Sequence, residues 1–282
     1  MNGNSDWATC GSICQGVSHY RDMQPCQDRV FTHSNDMSGF HCVLLADGAG
    51  SARFSQFGAE IALASAAVLL EEHFDDLFRA FPYGRTAEKA IVERVQSELV
   101  NLSETGIDPT DETRDILNLP SREELPYVPC ELRELASTLL AVAVKGERYV
   151  SLHIGDGVIG VQKRGIGTSG VQVLSKPENG EFANETYFTV SGNASEAMSI
   201  HRGRIIKRHS EITGFILMSD GPEASLLRKC DMRLAGACGK LLDACSSLPA
   251  EEMQEQLDYA LSEVIAKRTQ DDCSIVLMTR RK

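Results

Sequence analysis

VLLADG (43–48), HIGDG (153–157) and ILMSDG (216–221) repeat one pattern, a short apolar run that ends in Asp-Gly. A few consecutive apolar residues bounded by a turn signal read as a buried strand, since they are too few for a helix. One Asp-Gly marks a hairpin turn, where glycine takes a positive φ without steric cost. Three at strand ends support a second reading, because strands are rigid and Asp47, Asp156 and Asp220 at their tips can converge on one point. Two further acidic elements, Gln27-Asp28 and Asp271-Asp272, stand at the starts of short apolar runs. Hard carboxylate oxygens gathered in this way suit Mg²⁺ or Mn²⁺. Glycine behind an aspartate lets a backbone carbonyl approach an ion closely. Without cations, such a cluster would repel itself strongly in a low-dielectric cleft.

Outward from these motifs, Phe40–Ala46 and the runs 139–144, 149–154, 158–162, 215–218 and 274–279 read as buried strands. Longer apolar periods over 57–78, 85–102, 226–246 and 249–268 predict helices. Strands and helix pairs come in blocks, which predicts a layered α+β architecture rather than a doubly wound βαβ fold. No repeat, low-complexity tract or linker divides the chain, so 1–282 reads as a single domain. Residues 105–130 hold four of the nine prolines (Pro109, Pro120, Pro126 and Pro129) and many acids, and read as an extended connection or surface insertion.

At 282 residues and 42% apolar composition the chain can build a substantial core. A net charge of -12 argues against a nucleic-acid surface, which needs Lys and Arg to neutralise phosphates. The longest apolar stretch, 61–70, is too short to span a bilayer, and the N-terminus lacks a basic region followed by an apolar run. No membrane partner is expected, and a cytoplasmic monomer is. Nine cysteines, an odd number without repeated spacing, oppose a disulfide framework and fit a reducing compartment. Cys10 and Cys14 lack a second cysteine pair or nearby histidine for a zinc knuckle.

Taken in order, Gln27-Asp28, Asp47-Gly48-Ala49-Gly50, Ser137-Thr138 before an apolar strand, Gly155-Asp156-Gly157, Ser219-Asp220-Gly221 and Asp271-Asp272-Cys273-Ser274 resemble the motif series of the PPM/PP2C phosphatases. The match runs over about residues 11–279, and GVSH (16–19), CQD (26–28) and GEFANETYF (180–188) resemble a compact bacterial class. The resemblance implies an αββα sandwich, two antiparallel sheets flanked by helix pairs, with two Mn²⁺ or Mg²⁺ ions at one edge. It implies hydrolysis of phosphoserine and phosphothreonine in proteins by a metal-activated water. Carried over by motif, Asp47 would bridge both ions, Asp220 and Asp271 would complete the first site, and the Gly48 carbonyl would serve the second. Asp28 would orient metal-bound waters, and Asp156 with Asp220 would hold a weaker third ion. The expected partner is a phosphorylated protein, a Ser/Thr kinase or its target.

Two departures stand out. Gln27 occupies the place of the family's glutamate, which predicts a weaker second metal site. Met23 occupies the place of its phosphate-binding arginine, leaving Arg21 or His19 as substitutes. His19 also has a bland reading as a surface or hydrogen-bonded histidine, beside phosphate contact or proton transfer to the leaving alcohol. Arg53 reads as a solvated helix-start charge, with a substrate ligand as the alternative, and Asp75 and Asp76 as helix-end residues facing water. Asn184 and Thr186 would cap a turn or order a loop over the site, and Asp272 would hydrogen-bond behind the ligands. The basic stretch His201 to His209 reads as a solvated face or as a surface for acidic or phosphorylated protein. Two competing functions remain: a catalytically inactive binding or regulatory module, and a phosphohydrolase acting on another ester. The retained Asp47, Asp220 and Asp271 weigh against the first, and net acidity weighs against nucleic acid within the second.

Overall fold

The structure, a computed structural model, describes residues 6–79, 86–166, 170–177 and 186–282. β1 (Trp7–Cys14) and the single-turn α1 (Val17–Arg21) lead into β2 (Arg29–Asn35) and β3 (Phe40–Ala46). The helices α2 (Ser55–Glu72), α3 (Phe74–Arg79), α4 (Thr86–Thr105) and α5 (Asp111–Ile116) follow. Next come β4 (Leu139–Lys145), β5 (Arg148–Ile154), β6 (Val158–Gly165) and β7 (Gly170–Ser175). Beyond them lie α6 (Ala194–Ala197), β8 (Ser199–Arg204), β9 (Ile206–Lys207) and the long β10 (Ser210–Met218). The chain ends with α7 (Glu223–Leu226), β11 (Leu227–Arg228), β12 (Arg233–Leu234), α8 (Gly236–Cys245), α9 (Ala250–Tyr259) and β13 (Cys273–Arg280).

Every pairing between these strands is antiparallel. One sheet runs β1-β13-β10-β6-β7, with β9 beside β10, and the other runs β2-β3-β4-β5-β8. Side chains alternate across a strand, and β3 shows the consequence. Phe40, Cys42, Leu44 and Ala46 pack with Leu63 and Leu70 of α2 and Val95 and Leu99 of α4. Val43 and Leu45 join Phe215, Leu217, Val276 and Met278 of the other sheet. The alternate residues of those strands, Ile216, Met218, Ile275 and Leu277, pack with Leu242 of α8 and Met253 and Leu257 of α9. The layers are therefore helix pair, sheet, sheet, helix pair, as the resemblance implied. Strands buried on both faces lose polar alternation, which is why these segments read as continuous apolar runs.

Several expectations are corrected. The 226–246 pattern is not one helix. It opens as α7 and the β11–β12 hairpin, and α8 begins only at Gly236. An Arg228–Asp231 ion pair closes the hairpin turn and Met232 has φ +52°, a backbone state no α-helix accommodates. The 57–78 pattern divides at His73 into α2 and α3. Asp75 does not simply face water, because it accepts from Lys145 (3.0 Å) and Arg148 (2.6 Å), tying α3 to the β4–β5 hairpin. Segment 105–130 is folded rather than extended: Ile107 and Val128 bridge, and α5 presents a buried arginine, Arg114. Its guanidinium donates to the carbonyls of Pro109, Pro120, Leu125 and Pro126 at 2.8–3.2 Å. All nine cysteines are free. Among the described residues no helix is long and apolar enough to cross a membrane.

Candidate metal centre

β3 delivers Asp47 to a point fixed by its neighbour, the loop before β4. The Asp47 N–H donates to Thr138 Oγ1 and its carbonyl accepts the Thr138 N–H, both at 2.8 Å. Gly48 bridges Ser137, and the Ala49 N–H donates to the Ala136 carbonyl at 2.9 Å. A Cβ on Gly48 would stand 2.6 Å from Ser55 Oγ and 3.0 Å from Gln27 Cβ, so only glycine fits between α2 and Gln27. The Ser137-Thr138 motif thus staples the first Asp-Gly turn in place.

Asp28, at the start of β2, is completely buried, and its Oδ2 accepts from Ser219 Oγ at 2.9 Å. Ser219 Oγ also accepts the Ser274 N–H at 3.1 Å, joining the ends of β10 and β13 beneath the acid. Asp28 Oδ1, Asp220 Oδ1 and Gln27 Oε1 are buried oxygens without a hydrogen-bond partner. Each such orphan costs on the order of 1–3 kcal/mol, a cost that a bound cation reverses.

Asp28 and Asp47 stand next to each other just beyond the Arg29–Ala46 pair of β2 and β3. Burial, then the charges of Asp28, Asp220 and Asp156, push the Asp47 carboxyl well above the usual range. Burial raises Asp28 to about 7 despite the hydrogen bond from Ser219, with the charge of Asp272 adding to the rise. Asp220 rises to about 6 through burial and the charges of Asp156 and Asp271. Asp156 accepts from Thr186 Oγ1 at 2.7 Å, while Asp271 is exposed. Among the described residues no three His, Cys, Asp or Glu side chains are closed up around one point. The carboxylates nevertheless act on one another through their charges. Their oxygen-only donor set and unpartnered oxygens fit a hard divalent cation.

Asp272 is buried and used on both oxygens, Oδ1 by the Gly16 N–H (2.7 Å) and Oδ2 by the Gln27 N–H (2.6 Å). Both carboxylate oxygens are thereby committed to backbone N–H groups. A Cβ on Gly16 would meet the Asp271 carbonyl carbon at 2.4 Å, and the Ser18 N–H donates to the Gln270 carbonyl at 3.0 Å, so α1 is stitched to the loop before β13 that carries Asp271 and Asp272. His19 Nδ1 consequently lies 2.9 Å from Asp272 Oδ1, at ion-pair distance. Arg21 is exposed and donates through Nε and Nη2 to Asp22 (3.0 and 3.3 Å). Arg53 is turned to the 105–130 segment, donating to the Leu117 carbonyl at 3.3 Å. Asn184 lies outside the described residues. Ser219 and Ser274 belong to motifs legible in the sequence, but their service to Asp28 appears only once β10 and β13 pair.

The profile of the family described as Protein phosphatase 2C matches residues 15–262. Comparison with curated proteins gives no match. Among solved structures, the catalytic domain of serine threonine protein phosphatase PstP in complex with two manganese ions is similar, with TM-score 0.58 and 14% identity, covering 98% of this chain and 99% of that one. A serine/threonine phosphatase of S. agalactiae has TM-score 0.57 and 14% identity, covering 98% and 100%. PppA, a regulatory component of T6SS in Pseudomonas aeruginosa, has TM-score 0.54 and 14% identity, covering 98% of each chain. At these identities the likeness speaks for the fold, and the fold is the sandwich of two antiparallel sheets described above. With that architecture under a family profile spanning most of its length, the chain belongs to the protein phosphatase 2C family, metal-dependent protein serine/threonine phosphatases.

Proposed function

We propose that this chain removes phosphate from serine and threonine side chains of proteins with Asp47, Asp220, Asp271 and the Gly48 carbonyl as ligands of two divalent cations, manganese or magnesium. The observation that carries the reading is the meeting of Asp28 and Asp47 at the paired ends of β2 and β3, with buried oxygens of Asp28 and Asp220 left without a partner. Such ions would neutralise charge on the phosphoryl oxygens and would acidify a coordinated water. Asp28, its Oδ2 fixed by Ser219, keeps Oδ1 free to orient that water in line with the departing oxygen. Asp156, joined to Asp220 by proximity, serves a weaker third position.

Of the two replacements for the missing phosphate-binding arginine, His19 is favoured because the Arg21 guanidinium is engaged by Asp22. Held beside Asp272 at the rim, His19 is placed to contact the phosphate or to protonate the leaving alkoxide. Residues 1–282 would act as one cytoplasmic, monomeric domain on a phosphorylated protein such as a Ser/Thr kinase or its target. Hydrolysis of para-nitrophenyl phosphate and of a phosphothreonine peptide, with and without Mn²⁺, tests this reading. Activity should require the metal and fall about 100-fold or more in Asp47→Asn. Metal-independent hydrolysis, or an unimpaired Asp47→Asn enzyme, would overturn it.

A further inference from the structure

The sheet β1-β13-β10-β6-β7 ends at β7, which among the described residues pairs only with β6. Residues of an antiparallel strand turn their N–H and C=O groups alternately to one neighbour and to the other. The Ser219 N–H donates to the Ser274 carbonyl, so Ile216 and Met218 bond toward β6, and Val161 and Lys163 in turn bond toward β7. The Arg281 N–H, which donates to the Asp6 carbonyl at the other end of the sheet, fixes the same phase. Gly170 and Gln172 therefore bond to β6, and Val171 and Val173 turn their backbone groups outward. Among the described residues neither valine has a backbone partner beyond β6. β7 (GVQVLS) carries no proline and no charge to blunt this edge, and its register with β6 shifts only past Val173.

The open edge runs along a cleft of about 800 Å³, with residues 171–176 as one wall. The β11–β12 hairpin supplies the second wall. A Cβ on Gly160 would stand 2.7 Å from Leu234 Cδ1 and 3.4 Å from Val171 Cγ1, which puts the hairpin over the outer face of the sheet. Ser199 and His201 of β8, the edge strand of the other sheet, form the third wall. None of the acids of the candidate metal centre lines the cleft. Six extended residues span about 20 Å, which suits a stretched segment of chain. The charge of the lining opposes that of the molecule. Lys176 and Arg233 are exposed cations on it, and the carboxylate there, Asp231, is held on both oxygens by Arg228, in a chain of net charge -12.

We propose that an extended acidic segment of a partner protein docks in this cleft by adding to β7 as a further strand. Its main chain bonds to Val171 and Val173, and its carboxylates meet Lys176 and Arg233. This docking goes beyond the proposed hydrolysis and does not depend on the metal centre.

Fluorescence anisotropy of a labelled Val-Glu-Val-Glu-Val-Glu peptide with the full chain tests it, beside a Val-Lys-Val-Lys-Val-Lys counterpart. Val173→Pro removes an outward N–H and spares the bonds to β6, and Arg233→Glu reverses a charge on the opposite wall. Wild type should bind the glutamate peptide about tenfold or more tightly than the lysine peptide, and each substitution should weaken that binding by about the same factor. N-methylation of alternate residues of the glutamate peptide asks the same question without altering the protein. Methylation in one phase should abolish binding and in the other should spare it. Absence of binding by wild type, equal binding of the two peptides, an Arg233→Glu protein that binds as wild type does, or equal effects of the two methylation phases would overturn the proposal.

Discussion

Gln27 shows how one atom type sets the strength of a site. Its backbone N–H is committed to Asp272 and its Nε2 to the Ala52 carbonyl, but Oε1 is buried without a partner. An amide oxygen brings no charge to a cation, whereas a carboxylate in the same place would. Gln27→Glu should therefore lower the Mn²⁺ concentration for half-maximal activity by about tenfold or more, read from metal titrations of the rate. Ser219 shows the converse, a small residue that two partners need. Ser219→Ala leaves Asp28 Oδ2 and the Ser274 N–H without their shared hydroxyl, and should cost about 1–3 kcal/mol in denaturant unfolding. The aspartates themselves were legible because Asp-Gly repeats after apolar runs. Asp75 was not, since its partners, Lys145 and Arg148, are remote in sequence and meet it only when α3 docks on β5.

At the scale of elements, legibility followed burial. The central strands, covered on both faces, announce themselves by continuous apolar residues. β7 (GVQVLS) and β8 (SIHRGR) are edge strands with mixed composition, and β1 (WATCGSIC) is built from small residues, so none carries a clear period. The hairpin after α7 was hidden for another reason. Its leucines fit a helical period, and the ion pair that bends the chain is a tertiary decision. Segment 105–130 was visible as proline-rich, yet its order comes from Arg114, which satisfies four carbonyls that no periodicity can reveal. Lys has no planar fork to replace it. Arg114→Lys should leave the central sheets intact and speed hydrogen exchange at the Ile107 and Val128 amides, which bridge the base of the segment, by about tenfold or more.

Across the whole molecule, two sheets hold the strand ends rigidly enough to keep like charges together, and the metal-free protein bears that cost. A group whose folded pKa is raised stabilises the fold when protonated and loses that contribution as pH climbs to the folded value. Asp28 and Asp220, raised to about 7 and about 6, therefore make the metal-free protein less stable as pH rises from about 4 to about 7. His153 works oppositely. Burial, helped by the charge of His201, lowers it to about 4, so its contribution is lost as pH falls from 6.5 toward 4. The informative quantity is accordingly the difference made by metal: saturating Mn²⁺ should raise the melting temperature more at pH 8 than at pH 6.

Calorimetric titration of Mn²⁺ into wild type and Asp47→Asn, with the melting temperature of each metal-free protein, tests most directly whether the strand-end aspartates share bound cations. Wild type should bind at least two equivalents, and Asp47→Asn should lose the tight binding while melting higher than wild type in the absence of metal. Undiminished Mn²⁺ binding by a folded Asp47→Asn protein would contradict the account.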